Sequence, residues 1–506
     1  MELRPYQHDG VAWLRESFGD PHARVRLLAD EMGLGKTVQA VAAFPGPLWS
    51  DPDPAILVVA PAGVHRSWQR HVAEWRPDLA CSLVGATADL RPPRLGEVLV
   101  VSPDALGWAS GESKRRGRGR PPAKGATPAD DEAAAKEAKR RAAVERTRQR
   151  SEQAFARLRS SLLALGPRAL IAVDEAHRVK GATATRARAV GALCGPAAER
   201  GATVWGITAT PAPRDALDLW CLMERLGGSR HPAAWGGRGI VGWQEWSRGT
   251  CKRGGQWSFA GEPRSSVADA LPGLFLRRLV AEHAEEIPPP THAIHVVRLS
   301  DDLAAEADGI LADACRSLGV DPRRAHRDAS EAGDDLDDAL TATMAHLDRG
   351  KMSALGAKLS AAKVPTVMAL MREHIDAGRA VIVYSENRAP IDAVAAAGFP
   401  VIVGGMTAKS IAAAVESFQD GEAPVIGFTA AGREGVTLTR ASVFIEADTG
   451  WSADDRNQAL GRAVRIGQEE SVSVIHVVAA HPLEALKMRV LRRKRRFGLT
   501  ALGSSM

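Results

Sequence analysis

Short β-branched and aliphatic runs alternate along the chain with stretches in which apolar positions recur at helical spacing. In the first half the runs are Val25–Ala29, "AILVVA" (55–60), "EVLVVS" (97–102), "ALIAVD" (169–174) and "TVWGIT" (203–208). A second series follows: "AVIVYS" (380–385), "PVIVGG" (400–405), "PVIGFT" (424–429), "SVFIEA" (442–447) and "VSVIHVV" (472–478). Strands interleaved with helical patterns predict a parallel sheet covered by helices. Two such series, more than a hundred residues apart, predict two α/β domains. Residues 291–365, around "LAAEADGILADACRSL", read as helical and would separate the two sheets. The expected boundaries are therefore 1–287, a helical linker at 288–365, and 366–506.

The first domain is interrupted at about 110–155. This stretch opens with glycine, proline and basic residues and continues as "DDEAAAKEAKRRAAVERTRQR", which is strongly helix-forming but carries no apolar stripe. It reads as an insertion ending in a solvated helix.

Composition narrows the class without naming a chemistry. With 45% hydrophobic and 25% charged residues the chain reads as a globular protein. No apolar run approaches the roughly 20 residues of a membrane span. Five scattered cysteines (Cys81, Cys194, Cys221, Cys251 and Cys315) form no C-x-x-C pair, which disfavours a disulfide framework and a zinc site. A reducing, intracellular location is expected: cytoplasm or nucleoid, or the nucleus in a eukaryote. The net charge of +6 is concentrated: Lys114, Arg115, Arg116, Arg118, Arg120 and Lys124 face one acid, Glu112, between 111 and 128. A basic cluster on a near-neutral body suggests a polyanion contact.

The candidate chemistry begins at "LLADEMGLGKT" (27–37). A strand-to-helix turn there would point backbone N–H groups and a positive helix end at a phosphate. Gly33 and Gly35 allow a close approach, Lys36 would reach the β- and γ-phosphates, and Thr37 would hold magnesium. The common template has glycine where this chain has Asp30. About 140 residues later "VDEAHRVKG" places Asp174 and Glu175 at a strand's C-terminal edge. Asp174 suits magnesium, directly or through water, and Glu175 suits orienting and deprotonating an attacking water. In "GITATP", Thr208 and Thr210 would sense the phosphate site and pass its state on, or they simply form an exit turn before Pro211. In "DRNQALGRAVRIGQ", Arg462 and Arg465 are three apart, hence expected on one helix face, and suit a γ-phosphate during transfer.

Taken in order, "LRPYQHDGVAWL", "DEMGLGKT", "VVAPAGVHRSWQRHVAEW", "DEAH", "TATP", "LRR" (276–278), "AGREGVTLT" and "QALGRAVRIGQ" resemble the DEAD/DEAH-like superfamily-two helicase core. More narrowly they resemble its Swi/Snf-type double-stranded-DNA translocases, in the branch of annealing helicases and fork remodellers. The resemblance implies two RecA-like P-loop lobes hydrolysing ATP with magnesium in the cleft between them. It makes Asp30 part of that family's loop variant. It implies that Gln7 contacts adenine, that Leu34 and Gly435 join Gly33, Gly35, Lys36 and Thr37 at the nucleotide, and that duplex or forked DNA lies across both lobes. Arg66, Ser385, Asn387 and Thr429 are the candidate contacts. The sequence departs from most relatives at Ala209 (usually glycine) and Val464 (often histidine). A short stretch with Trp235, Trp243, Trp246 and Trp257 replaces the usual helical protrusion.

Three functions follow: a duplex-DNA motor, a strand-separating helicase, and a non-catalytic DNA-binding scaffold. Intact Lys36, Asp174, Glu175, Arg462 and Arg465 argue against the last. The segment 114–125, centred on Arg118-Gly119-Arg120-Pro121, resembles an AT-hook, which would seat its arginines in the narrow minor groove of A·T-rich DNA; the alternative is a solvated linker. The basic run at 489–498 is either a further DNA contact or the exposed face of a closing helix.

Overall fold

The computed structural model describes residues 2–110, 128–317 and 349–488, apart from 19–23, 86, 181–183, 213–215, 230, 253–255, 260–262, 284–286, 434–435, 449–452 and 486. The chain divides into two compact units, one made chiefly of residues 1–279 and the other chiefly of residues 280–499. Among the described residues no helix is long and apolar enough to cross a membrane.

The first unit is built on strands β1 (Val25–Leu28), β2 (Ala55–Val59), β3 (Ala80–Leu83), β4 (Glu97–Val101), β5 (Ala169–Asp174) and β6 (Thr203–Ile207). A small antiparallel hairpin follows, β7 (Gly249–Lys252) and β8 (Gln256–Phe259), and then β9 (Phe275–Leu276). The seven-stranded sheet has the order β3-β4-β2-β5-β6-β1-β9, and every pairing in it is parallel. Strands β1, β2, β4 and β6 are buried along their whole length, as a sheet covered on both faces requires. Helices α1 (Pro5–Glu16), α2 (Lys36–Ala43) and α3 (His65–Trp75) pack through Leu14, Val41, Phe44 and Trp68 against Leu28, Ile56 and Trp205. Phe44 stacks on Trp205 with ring centroids 6.0 Å apart.

Two first-unit elements go beyond the sequence reading. The helix of the insertion spans Pro128–Leu165 and so runs past the expected end near 155; residues 145–150 are exposed or half-buried, as a solvated helix requires, while Phe155, Leu158 and Leu162 are buried. The apolar stripe begins where the polar, alanine-rich half ends. The tryptophan-rich stretch forms a satellite core, with Trp235, Trp243 and Trp246 buried around Trp220.

The second unit carries β10 (Thr291–Val297), β11 (Val381–Tyr384), β12 (Val401–Ile402), β13 (Val425–Phe428), β14 (Val443–Glu446) and β15 (Ser473–Ala479). Their order is β10-β15-β14-β11-β13-β12, again all parallel. Residues 291–297 thus form a strand of this sheet, where the sequence reads as helix. The strand sits at an edge with Ile294 and Val296 exposed, so it lacks the continuous apolar run of the interior strands. The helical reading does hold for Asp301–Ser317 and Arg349–Asp376.

Candidate active site

In the first sheet β5, β6 and β1 are neighbours, so their C-terminal ends bring three loops to one edge. The β1 exit carries Asp30 to Gly35 and runs into α2, which begins at Lys36. Gly33 and Gly35 have φ of +94° and +73°, the left-handed region that a side chain would strain. A Cβ at Gly35 would also lie 2.5 Å from the Gln7 Nε2. Gln7 is itself fixed: its Oε1 accepts from the Arg4 N–H at 3.0 Å, capping α1, and its amide faces the loop. Leu34 is buried, and Thr37 occupies the first turn of α2.

Lys36 donates from Nζ to the carbonyl oxygens of Asp30 (2.9 Å) and Glu31 (3.1 Å). Burial lowers its pKa, opposed by the negative charges of Glu175, Asp30 and Asp174. At the β5 end, Trp68 Nε1 donates to Asp174 Oδ2 at 2.7 Å and the Glu175 N–H donates to Oδ1 at 2.9 Å. Burial, then the charge of Glu175, pushes the Asp174 carboxyl up to about 6 despite those bonds. Glu175 has φ of +47°, uncommon for a residue with a side chain, which turns the chain sharply after the strand. Its Oε2 lies 3.3 Å from His177 Nδ1, which is 2.9 Å from Thr208 Oγ1; that oxygen accepts from the Thr210 N–H at 3.1 Å. A continuous polar path therefore joins the β5 and β6 exits, and Thr208 is buried within it.

Asp30 is wholly buried. Its Oδ1 accepts from Arg278 Nε (3.0 Å) and its Oδ2 from Arg278 Nη2 (2.5 Å) and Gln39 Nε2 (3.1 Å). The neighbouring Arg277 donates from Nη1 to the carbonyls of Ala29 and Ala209, both at 2.9 Å, tying β1 to the turn after β6. These arginines, with Trp68, His177 and Gln39, are site residues that sequence reasoning did not single out. The signal was present in "LRR", two consecutive arginines ending an apolar strand.

The second unit's candidates lie in other surroundings. Arg462 and Arg465 do not share a helix face, because the helix ends at Leu460. Gly461 follows it, and the Arg462 carbonyl accepts from the Leu438 N–H at 2.9 Å instead of continuing the helical ladder. Gln468 pins the turn by donating to the carbonyls of Ala441 and Ala463. Both arginines nonetheless turn to one segment: Arg462 Nη1 donates to the Val436 carbonyl (3.3 Å) and Arg465 Nη1 to Thr437 Oγ1 (3.0 Å). Ser385 is buried, its hydroxyl donating inward to Asp448 Oδ2, which also accepts from Asn387 Nδ2 (3.1 Å) and Ser360 Oγ (2.9 Å). Thr429 is buried at the β13 exit, and Arg66 is exposed on α3. Gly435, Arg118, Arg120, the segment 114–125 and the run 489–498 lie outside the described residues.

The chain matches the model of the SNF2-related domain over residues 6–304 and that of the helicase conserved C-terminal domain over 362–467. It is 22% identical over 97% of its length to an uncharacterized ATP-dependent helicase of Mycoplasma pneumoniae, covering 41% of that protein. It is 23% identical over 97% of its length to the human DNA annealing helicase and endonuclease ZRANB3, covering 40% of it. The chain thus spans about 40% of the length of these relatives. The solved SWI2/SNF2 ATPase core of Sulfolobus solfataricus in complex with double-stranded DNA is 18% identical, with 95% of this chain and 88% of that one covered and a TM-score of 0.40.

Proposed function

The chain belongs to the SNF2-related domain family, and on that premise we propose that it is a motor that hydrolyses ATP in response to duplex DNA and moves along it. The observation that carries this reading is the meeting of Gln7 from α1, Lys36 at the start of α2, and Asp174 and Glu175 at the β5 exit, at one edge of the first sheet. The annealing and endonuclease activities in the relatives' names belong to much longer proteins and are not carried over.

In this reading the helix start at Lys36 and the N–H groups of 33–37 hold the nucleotide's phosphates. The Lys36 ammonium, now shared between two neutral carbonyls, would exchange them for phosphate oxygens, which accept stronger, charge-assisted bonds. Magnesium would offset phosphate charge, and Thr37 and Asp174 would hold it. Asp174 fits such a cation, since its two donors orient the carboxylate and a nearby positive charge would restore the ionised form that burial disfavours. Glu175 would take a proton from the attacking water while His177 holds its other side. The path through Thr208 to Thr210 would report that event to the β6 exit. Arg462 and Arg465, carried by the second unit, are assigned to the charge that develops on the transferred phosphoryl group.

ATPase rates compared without DNA and with single-stranded, duplex and forked DNA test this reading. Stimulation by duplex is expected, together with displacement of a triplex third strand and no splitting of a blunt duplex. Efficient splitting of that duplex would make the chain a strand-separating helicase. The 114–125 segment is proposed to favour A·T-rich minor grooves. Deleting 112–125 should leave basal ATPase intact, weaken duplex binding and erase any preference for A·T-rich over G·C-rich duplex.

A further inference from the structure

The residue that departs from the common phosphate-loop template, Asp30, is also the most completely enclosed charge at the site. Asp30 and Arg278 are both wholly buried, and burial of two charges is tolerated only where hydrogen bonds replace the lost water. The replacement is thorough. Asp30 Oδ1 accepts from the Arg278 N–H (3.1 Å) and Nε (3.0 Å), while Oδ2 accepts from Arg278 Nη2 (2.5 Å) and Gln39 Nε2 (3.1 Å). The guanidinium also donates to Gln39 Oε1 (2.6 Å) and to the Tyr6 carbonyl. Space for this packing is left by Gly10, where a Cβ would lie 1.9 Å from Gln39 Oε1 and 2.5 Å from Arg278 Nη2.

The partners are what give the cluster a role. Tyr6 precedes Gln7, Gln39 sits one turn into the helix that Lys36 begins, and the Asp30 carbonyl accepts from Lys36 Nζ. The Glu31 N–H donates to the Arg278 carbonyl at 2.9 Å, fixing the second carbonyl that Lys36 uses. Stability alone does not ask for such a pair, since well-packed apolar residues serve a buried site as well or better. We propose that Asp30 and Arg278 are positioning residues that hold the phosphate loop, Lys36 and Gln7 in the nucleotide-binding arrangement before nucleotide arrives. The proposal rests on the reading of this edge as an ATP site. It explains Asp30: a glycine would free the loop backbone, whereas the carboxylate anchors it from behind.

Preorganisation predicts a particular kinetic split. If the pair sets the loop before nucleotide arrives, its loss makes binding bear the cost of ordering, while bound nucleotide at saturation still orders the loop. Asp30→Asn and Arg278→Lys should therefore raise the KM for ATP, and the Kd of a fluorescent ATP analogue, by about ten-fold or more, the size expected when a residue supporting a ligand-contacting group is lost. The kcat in saturating duplex DNA should stay within about two-fold. The double variant should cost no more than the worse single variant, because both remove one contact. Gly10→Ala, which crowds Gln39 and the Arg278 Nη2 that reaches Asp30 while leaving both charges in place, should raise KM in the same sense and serves if either charge variant fails to fold. Lys36→Ala is the reference. If it binds and hydrolyses ATP normally, the nucleotide reading itself fails. If Lys36→Ala is inactive but the other variants lower kcat with KM unchanged, or keep wild-type values, the positioning role is overturned.

Discussion

In the first unit the carboxylate ending β5 and the ammonium opening α2 are both pushed toward their neutral forms: Asp174 up to about 6, and Lys36 below its usual value. In the second unit the sign is reversed at Glu484. Burial alone would raise its pKa, but Lys487 and Lys363 overcome that and bring it to about 2, with Lys363 Nζ 2.7 Å away. Both units bury charge, and the first also holds a matched carboxylate, Glu97, which burial would raise but Arg91 and Ser82 bring down to about 2; the direction of the shift therefore separates these groups rather than the units. A group whose ionised form is disfavoured in the nucleotide-free protein gains when an opposite charge arrives, whereas one already ionised and matched has nothing to gain. Asp174 and Lys36 meet the first condition and Glu484 the second.

The comparison breaks most visibly at Glu175. Glu175→Gln keeps the shape and the neighbour His177 but removes the carboxylate proposed as the base. Turnover with duplex DNA should fall by roughly 10²–10⁴ while nucleotide binding persists. Near-normal turnover would place the base elsewhere. On the matched side, Lys363→Met leaves Glu484 with one lysine fewer in a buried place. The expected cost is about 3–5 kcal/mol of stability in urea unfolding, with kcat per folded molecule unchanged. The folded pKa of Glu484 lies below its usual 4.5. Its contribution is therefore complete above that pH and is lost as pH falls toward about 2. Wild-type stability should decline across that window more steeply than that of Lys363→Met.

How far the sequence foretold this follows the same division. The interior strands announced themselves because burial on both faces demands continuous β-branched runs, as in "AILVV" and "ALIAV". Strand β10 did not, being an edge strand with exposed side chains, and β3 and β9, which went unread, are the two edges of the first sheet, β3 with no buried residue. Lys36, Asp174 and Glu175 were legible as local strings at strand ends. Arg278 was visible only within "LRR"; its pairing with Asp30, 248 positions away, was not legible. The helical face expected for Arg462 and Arg465 failed past Leu460, where the Arg462 carbonyl takes the long-range Leu438 N–H.

A smaller effect sharpens the comparison through stability alone. The Asp174 pKa is raised above its usual 3.8. Its charge therefore costs folding energy that appears as pH rises from about 4 through about 6 and is absent below that range. Asp174→Asn should stabilise the nucleotide-free protein at pH 7.5 by roughly 1–3 kcal/mol and change little at pH 4, while abolishing DNA-stimulated ATPase. Denaturation midpoints at the two pH values check the sign. A loss of stability at pH 7.5 would mean that its bonds to Trp68 and Glu175 outweigh the buried charge.

The smallest expected effects distinguish residues that face out from residues that face in among the candidate DNA contacts. Arg66 is exposed on α3, free to meet a phosphate at little cost in folding. Arg66→Ala should weaken duplex binding a few-fold, uniformly across sequences, and reduce the salt slope of the affinity by about one. Ser385 is the opposite case, since its hydroxyl is spent on Asp448 and also accepts from the Asn387 N–H at 3.1 Å. Ser385→Ala removes one bond from a buried carboxylate, which should cost about 1–3 kcal/mol of stability. It should leave the salt slope of duplex binding where it was, because no cation is lost. Titrating duplex into both variants at two salt concentrations, beside their urea midpoints, separates the roles. A reduced salt slope in Ser385→Ala would mean that DNA reads the β11 exit after all, and that the Asp448 cluster is rearranged when it binds.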